Sequence, residues 1–210
     1  AGIAGLNQQV VLSVDYALAP EMPFPRALQE TVAVARWAHD NAAALGLRAD
    51  AIAIGGDSAG GNLAAAATLE LRGTPQAPRA QLLVYPATDL TTDRPSHREN
   101  ANGPLVTVAS MPLVNAMYCP DASLHLTPRI SPLRAASHAD LPPAFIAVTE
   151  HDPLRDEGIA YAEALEAAGV AVELDRGEGL IHGYLRAKAY CAPAQQRFER
   201  MAAWLRAALA

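Results

Sequence analysis

Lysine is almost absent from this chain of 210 residues, in which Lys188 is the single example. Lysine and arginine together number 16 against 22 aspartates and glutamates, so the formal net charge is −6. The basic residues are scattered, whereas nucleic-acid-binding domains concentrate them on one face. Nucleic acid is therefore not an expected partner.

Cysteine is also scarce, and long apolar runs are absent. Cys119 and Cys191 lie far apart in sequence without metal-ligand spacing, which favours isolated reduced thiols and cytoplasmic residence. No apolar run approaches the ~20 residues of a membrane span, and the first residues lack the pattern of a signal peptide. The first residue is Ala1 and not methionine, which is expected of a processed chain or a fragment.

Strand and helix patterns alternate along the chain, whose 51% hydrophobic content suffices for one globular domain over residues 1–210. Strands are predicted in residues 9–16, 51–55, 80–88, 145–149 and 170–175. Helices are predicted in residues 27–45, 63–72, 105–118, 156–168 and 193–209. This alternation predicts an α/β fold with a mostly parallel sheet flanked by helices. Residues 90–140 are rich in turns and proline and are interpreted as a cap-like excursion.

The stretch over residues 51–62 joins an apolar run to an alanine-rich helical pattern. Its residues Gly56, Ser58 and Gly60 form Gly-x-Ser-x-Gly, the nucleophile elbow, in which a sharp turn presents the serine. A side chain at position 56 or 60 is predicted to collide with the turned backbone. The motif therefore makes Ser58 the candidate nucleophile.

Asp57 and Ala59 flank Ser58 in this elbow. The backbone N–H of Ala59, at the start of the following helix, is predicted to donate to a developing oxyanion. The competing interpretation is a glycine-rich strand-to-helix turn without chemistry.

A serine nucleophile needs a base, and the base needs an orienting acid. In α/β-hydrolases they follow in the order Ser, Asp or Glu, His. Asp152 follows the fourth predicted strand and His182 follows the fifth, so they are the candidate acid and base. Asp152 before Pro153 also suits a helix cap, and His182 also suits an ordinary loop histidine. The remaining histidines have less suitable positions: His39, His97, His125, His138 and His151.

Several ordered motifs resemble the hormone-sensitive-lipase-like α/β-hydrolases. They are Tyr-Ala-Leu-Ala-Pro-Glu from Tyr16, Pro-Phe-Pro from Pro23, Gly-Asp-Ser-Ala-Gly-Gly from Gly56, Ser131-Pro132, Asp-Pro-Leu-Arg-Asp-Glu-Gly from Asp152 and His-Gly-Tyr from His182. The resemblance implies a carboxylesterase for short- to medium-chain acyl esters, with Ser58, Asp152 and His182 as its triad. It implies neither a metal nor an organic cofactor.

The chain departs from this family at one functional element. Members carry His-Gly-Gly-Gly, whose N–H groups form most of the oxyanion hole, after a strand that lies between those matching residues 10–15 and 51–55. Neither this run nor the N-terminal cap segment occurs in the sequence. The chain is then a fragment, receives the strand from another polypeptide or folds around a gap.

Three functions follow as hypotheses. The first is serine carboxylester hydrolysis of a small-molecule ester. The others are a non-catalytic ligand-binding protein on a hydrolase scaffold, and an inactive fragment that lacks its oxyanion loop. The expected macromolecular partners are a second copy of the chain or a complementing N-terminal segment.

Overall fold

A four-stranded parallel sheet forms the centre of the computed structural model, which describes residues 2–91 and 93–210. The strands lie side by side in chain order as β1 (Ala53–Asp57), β2 (Ala80–Val84), β3 (Ala144–His151) and β4 (Val172–Ile181). The helices are α1 (Gly2–Asn7), α2 (Arg26–Asp40), α3 (Ala59–Leu71), α4 (Pro95–Glu99), α5 (Met111–Tyr118), α6 (Arg155–Ala167) and α7 (Ala192–Ala208). Parallel strands need crossover connections, which explains the alternation. The predicted α/β fold is confirmed.

Both faces of the sheet are covered, as β2 illustrates. Leu83 packs with α3 and α6, whereas its neighbours Leu82 and Val84 face the opposite side and pack with α7. Successive side chains of a strand point to opposite faces, so a strand buried on both faces is continuously apolar.

Helix α3 is buried around most of its surface. Its consecutive alanines at positions 64–67 are at most 1% exposed, and α2 packs outside it through Leu28 and Val32. A helix that is apolar all round belongs in the interior. This burial fixes the start of α3, where Ser58 lies.

Several predicted boundaries differ from the observed ones. Strand β2 ends before Tyr85, whose φ of 37° leaves the extended region, and β4 continues six residues beyond its predicted end at position 175. Helix α2 ends at position 40 and turns follow it to Gly46, where the φ is +67°. Helix α5 begins only at position 111, because Leu105 has a φ of +68° that no helix accommodates.

Residues 9–16 do not form a strand, so that prediction is wrong. Val10, Val11 and Leu12 are 65%, 48% and 45% exposed. Within the described residues, this segment makes no backbone-to-backbone hydrogen bond, and β1 pairs with β2 alone. A β-rich sequence becomes a strand only beside a backbone that pairs with it. The family resemblance puts another strand between this segment and β1, and no described strand occupies that position.

The region predicted as an excursion contains α4, α5 and short 3-10 turns. In the part of the chain that the structure describes, no helix combines the length and the apolar composition needed to cross a bilayer.

Candidate active site

Ser58 occupies the sharp turn between β1 and α3. Its φ of 56° and ψ of −118° are strained for a residue with a side chain. Its backbone N–H donates to the carbonyl of Val84 at 2.9 Å, and its carbonyl accepts from the N–H of Asn62 at 3.1 Å. The turn is thereby fixed to both β2 and α3, and the half-buried hydroxyl lies at the carboxyl end of the sheet.

Only one of the two motif glycines is sterically required. A Cβ at Gly56 would overlap the carbonyl group of Gly60, which confirms the prediction for position 56. The prediction for Gly60 is wrong, since a Cβ there meets nothing within 4 Å outside its own helix. The second tight position is Gly61, where a Cβ would lie 2.9 Å from the Cβ of Pro86. The helix approaches the loop after β2 on that side and not at position 60.

The three predicted side chains meet in one hydrogen-bonded relay. Nε2 of His182 lies 2.9 Å from Oγ of Ser58, and Nδ1 of His182 lies 2.7 Å from Oδ2 of Asp152. An ionised carboxylate only accepts, so Nδ1 carries the proton and Nε2 is left to accept from the serine hydroxyl. Asp152 is fully buried and His182 is 6% exposed, which shields the pair from water.

Asp152 joins the relay and does not cap the next helix, because α6 begins at Arg155 and its N-cap is Leu154. Oδ1 of Asp152 accepts the N–H of Leu154 at 2.9 Å in the turn before the helix. Its Oδ2 accepts from Nδ1 of His182 and from the hydroxyl of Thr149, the latter at 3.1 Å. The hydrogen bonds from Leu154 and Thr149 therefore fix the carboxylate in the orientation that reaches the imidazole.

The neighbouring acidic and basic groups point elsewhere. His151 is half exposed, with Nε2 4.0 Å from a carboxylate oxygen of Glu150. Asp156 pairs with Arg155 at 2.8 Å. Neither carboxylate joins the relay. Residues 2–91 and 93–210 contain no group of three or more His, Cys, Asp or Glu side chains able to hold a metal ion.

Glu157 lies in the first turn of α6 and is a buried structural anchor. It is 1% exposed and accepts the backbone N–H groups of Thr88 and Asp89 at 3.0 and 3.1 Å. Burial raises the pKa of its carboxyl group, and the hydrogen bond to Glu157 raises the pKa of His97. Glu157 therefore connects both the loop after β2 and helix α4 to α6.

Tyr85 is a site residue that the sequence did not reveal. It is 1% exposed, its ring centroid lies 4.5 Å from that of His182, and its hydroxyl lies 3.3 Å from Oδ2 of Asp57. Burial, followed by the charge of Asp57, raises the pKa of the phenol. The one feature of the sequence that could have identified Tyr85 is its position directly after β2. The predicted strand, residues 80–88, extended past Tyr85 and so did not place it at a strand end.

The N–H of Ala59 belongs to the first turn of α3, where backbone N–H groups lack partners within the helix. Ala59 is exposed beside Ser58. Its assignment as an oxyanion donor stays a prediction.

The chain is similar to known esterases in sequence and structure. A family model described as the alpha/beta hydrolase fold matches residues 1–186. Esterase LipI of Mycobacterium tuberculosis is 43% identical over 178 residues, covering 84% of this chain and 56% of LipI. Ethyl acetate hydrolase of Pseudomonas putida is 38% identical over 178 residues, with coverages of 84% and 56%. The chain thus spans little more than half the length of these curated relatives.

A solved structure of a carboxylesterase is also similar to this chain. EstE1, a thermostable carboxylesterase cloned from a metagenomic library, matches with a TM-score of 0.95 and 33% identity, over 99% of this chain and 72% of EstE1.

Proposed function

Because this chain belongs to the α/β-hydrolase family, we propose that it is a serine carboxylesterase acting on small esters with short to medium acyl chains. The observation that carries the proposal is the continuous relay from Ser58 through His182 to the buried Asp152. The names of the relatives, an ethyl acetate hydrolase among them, support an ester substrate with a short acyl group.

Hydrolysis would proceed in two displacements. Oγ of Ser58 attacks the ester carbonyl while Nε2 of His182 takes its proton; the C–O bond to the alcohol then breaks, and His182 returns the proton to the leaving oxygen. Water next attacks the acyl group on Ser58 while Nε2 of His182 takes its proton; the C–O bond to Oγ then breaks, His182 returns the proton to Oγ, and the carboxylic acid leaves. Asp152 holds the imidazole tautomer throughout, and the N–H of Ala59 donates to the oxyanion. Both displacements use side chains, a backbone N–H group and water, and the family resemblance implies neither a metal nor an organic cofactor.

The glycine-rich loop of the family does not occur within residues 1–210, which lowers the rate expected of these residues on their own. Removing one oxyanion donor typically costs about 10² to 10³ in turnover, and the family resemblance assigns most of the donors to that loop. Covalent labelling of Ser58 by an activated phosphorus reagent needs a single attack, so it depends less on the turnover rate than ester hydrolysis does. We therefore expect covalent labelling even where ester hydrolysis is slow.

Fluorophosphonate labelling followed by intact-mass analysis tests the proposal. The wild-type chain should gain one adduct on Ser58, and Ser58→Ala should gain none and lose hydrolysis of p-nitrophenyl butyrate. Asp152→Asn keeps the shape of the side chain but favours the wrong tautomer, so its turnover should fall by about 10⁴. An unlabelled wild-type protein under conditions that label an ordinary serine esterase would contradict the nucleophile assignment. Saturable ligand binding without hydrolysis would favour the binding-protein hypothesis.

A further inference from the structure

Residues 96–105, here called the brace, contact the loop that carries Asp152. Ser96 is fully buried, and its hydroxyl donates to the carbonyl of Pro153 at 2.6 Å. Its backbone N–H donates to a carboxylate oxygen of Asp156 at 2.8 Å. The brace is thus attached to the chain directly after Asp152.

Asn100 attaches the brace to the chain on the other side. Its side-chain amide donates to the carbonyl of Glu150 at 3.1 Å and to the carbonyl of Asp152 at 3.3 Å. Pairing between β3 and β4 becomes irregular between Thr149 and position 151, so these carbonyls leave the regular ladder. Arg155 also donates to both carbonyls, to that of Asp152 through its backbone N–H at 3.1 Å and to that of Glu150 through its guanidinium at 3.4 Å. The two donors of the Asn100 amide join these contacts and connect both carbonyls to the brace.

The far end of the brace touches the loop that carries His182. The terminal Cδ1 of Leu105 would lie 2.8 Å from a Cβ at Gly183, the residue after His182. Leu105 keeps a φ of +68° there, a strained value for a leucine. One short segment therefore contacts both the acid loop and the base loop.

We propose that Asn100 is a positioning residue for the Asp152–His182 pair. Ser96 is the second residue that attaches the brace to the loop of Asp152. The proposal rests on the esterase mechanism above, and it assigns to Asn100 the task of fixing the backbone from which the carboxylate of Asp152 projects. That carboxylate lies 2.7 Å from Nδ1 of His182. Displacing a catalytic group by about 1 Å can lower the rate by about a hundredfold. Asn100 acts through Asp152 and does not touch substrate.

Substitutions at Asn100 test this role. Asn100→Ala removes both donors, and Asn100→Asp keeps the shape but turns a donor into an acceptor facing two carbonyls. Asn102→Ala is the matched control, because Asn102 is an exposed asparagine of the same segment. We expect both Asn100 variants to label with fluorophosphonate and to turn over p-nitrophenyl butyrate about ten- to a hundredfold more slowly, with KM within about twofold of wild type. Asn102→Ala should match wild type.

The downfield proton resonance of Nδ1–H of His182 supplies a readout that is independent of substrate. We expect this resonance to be present in wild type and in Asn102→Ala. In both Asn100 variants it should be broadened or lost, while their circular dichroism remains native. If Asn100→Ala does not fold, Ser96→Ala carries the same expectations. Wild-type rates with an unchanged resonance in the Asn100 variants, a raised KM at constant kcat, or an equal loss in Asn102→Ala would overturn the proposal. A wild-type chain without the resonance would also overturn it. If only the labelling fails, the esterase proposal is refuted. The positioning role of Asn100 is then tested by the resonance of His182.

Discussion

Single residues with positive φ mark where the structure holds strain near the relay. Ser58 and Tyr85 have φ values of 56° and 37°, and they follow the adjacent strands β1 and β2. Such backbone states cost about 1–3 kcal/mol each and persist where their surroundings determine them. Both residues meet His182, one through its hydroxyl at 2.9 Å and the other through its ring at 4.5 Å. Two of the residues with a strained backbone therefore contact the same imidazole.

Tyr85 should act on His182 mainly through its ring. Tyr85→Phe keeps the aromatic contact and loses only the hydroxyl bond to the exposed Asp57, so we expect turnover within about threefold of wild type. Tyr85→Leu removes the ring from the imidazole and should lower turnover about tenfold and the free energy of unfolding by about 1–3 kcal/mol. Steady-state kinetics and urea unfolding measure both effects. Equal damage in the two variants would show instead that the hydroxyl bond to Asp57 is the important contact.

The three relay residues could be located from sequence because each follows a strand within a recognisable motif. Tyr85 and Asn100 could not, because their contacts depend on which loops the sheet brings together. No local pattern links Asn100 to a carbonyl 52 positions later along the chain. The open space at Gly60 was equally invisible, since it depends on how α3 approaches Pro86.

At the scale of elements, helices and buried strands were predicted well because their apolar spacing is local. The helix after Ser58 and the three consecutive apolar residues of β2 are examples. Residues 9–16 have an equally strong strand pattern, but a strand forms only beside a neighbouring strand that pairs with it.

Contacts made by loops, such as that of His138 with α6, could not be predicted from the sequence. His138 is 7% exposed, with Nε2 3.1 Å from the carbonyl of Pro132 and its ring packed edge-on against Tyr161 of α6.

This contact predicts a pH-dependent stability. Burial lowers the pKa of His138 below its ordinary value of 6.5, despite the hydrogen bond to Pro132. The unfolded chain therefore binds the proton more tightly, and the stabilisation present above pH 6.5 is lost as the pH falls through the folded-state pKa. We expect His138→Gln, which keeps an amide donor for Pro132, to lose less stability than wild type between about pH 7.5 and 5.5.

Urea unfolding followed by circular dichroism at both pH values measures the difference. The matched control is His151→Gln, at a side chain that is 53% exposed, and it should keep the wild-type pH dependence. An unchanged pH dependence in His138→Gln would assign the effect to another group.

At the scale of the whole molecule, two backbone edges without a described partner have the greatest consequence. Within residues 2–91 and 93–210, strand β1 is hydrogen-bonded on one side only, and the apolar segment at residues 10–12 is exposed. Unpaired apolar edges recruit other strands. We propose that the natural occupant is a β-strand followed by a Gly-Gly-rich loop, since the same insertion would pair β1 and bring oxyanion donors to Ser58.

The described chain should therefore self-associate, and its esterase activity should rise by at least about a hundredfold when a polypeptide with such a strand and loop is added. Light scattering and hydrolysis of p-nitrophenyl butyrate, with and without that polypeptide, measure the two effects. Val11→Lys places a charge in the exposed segment and should reduce self-association, whereas Tyr190→Lys, at a side chain that is 93% exposed elsewhere, should not. A stable monomer with full activity would contradict this prediction, because the second oxyanion donor would then have to come from the described residues themselves.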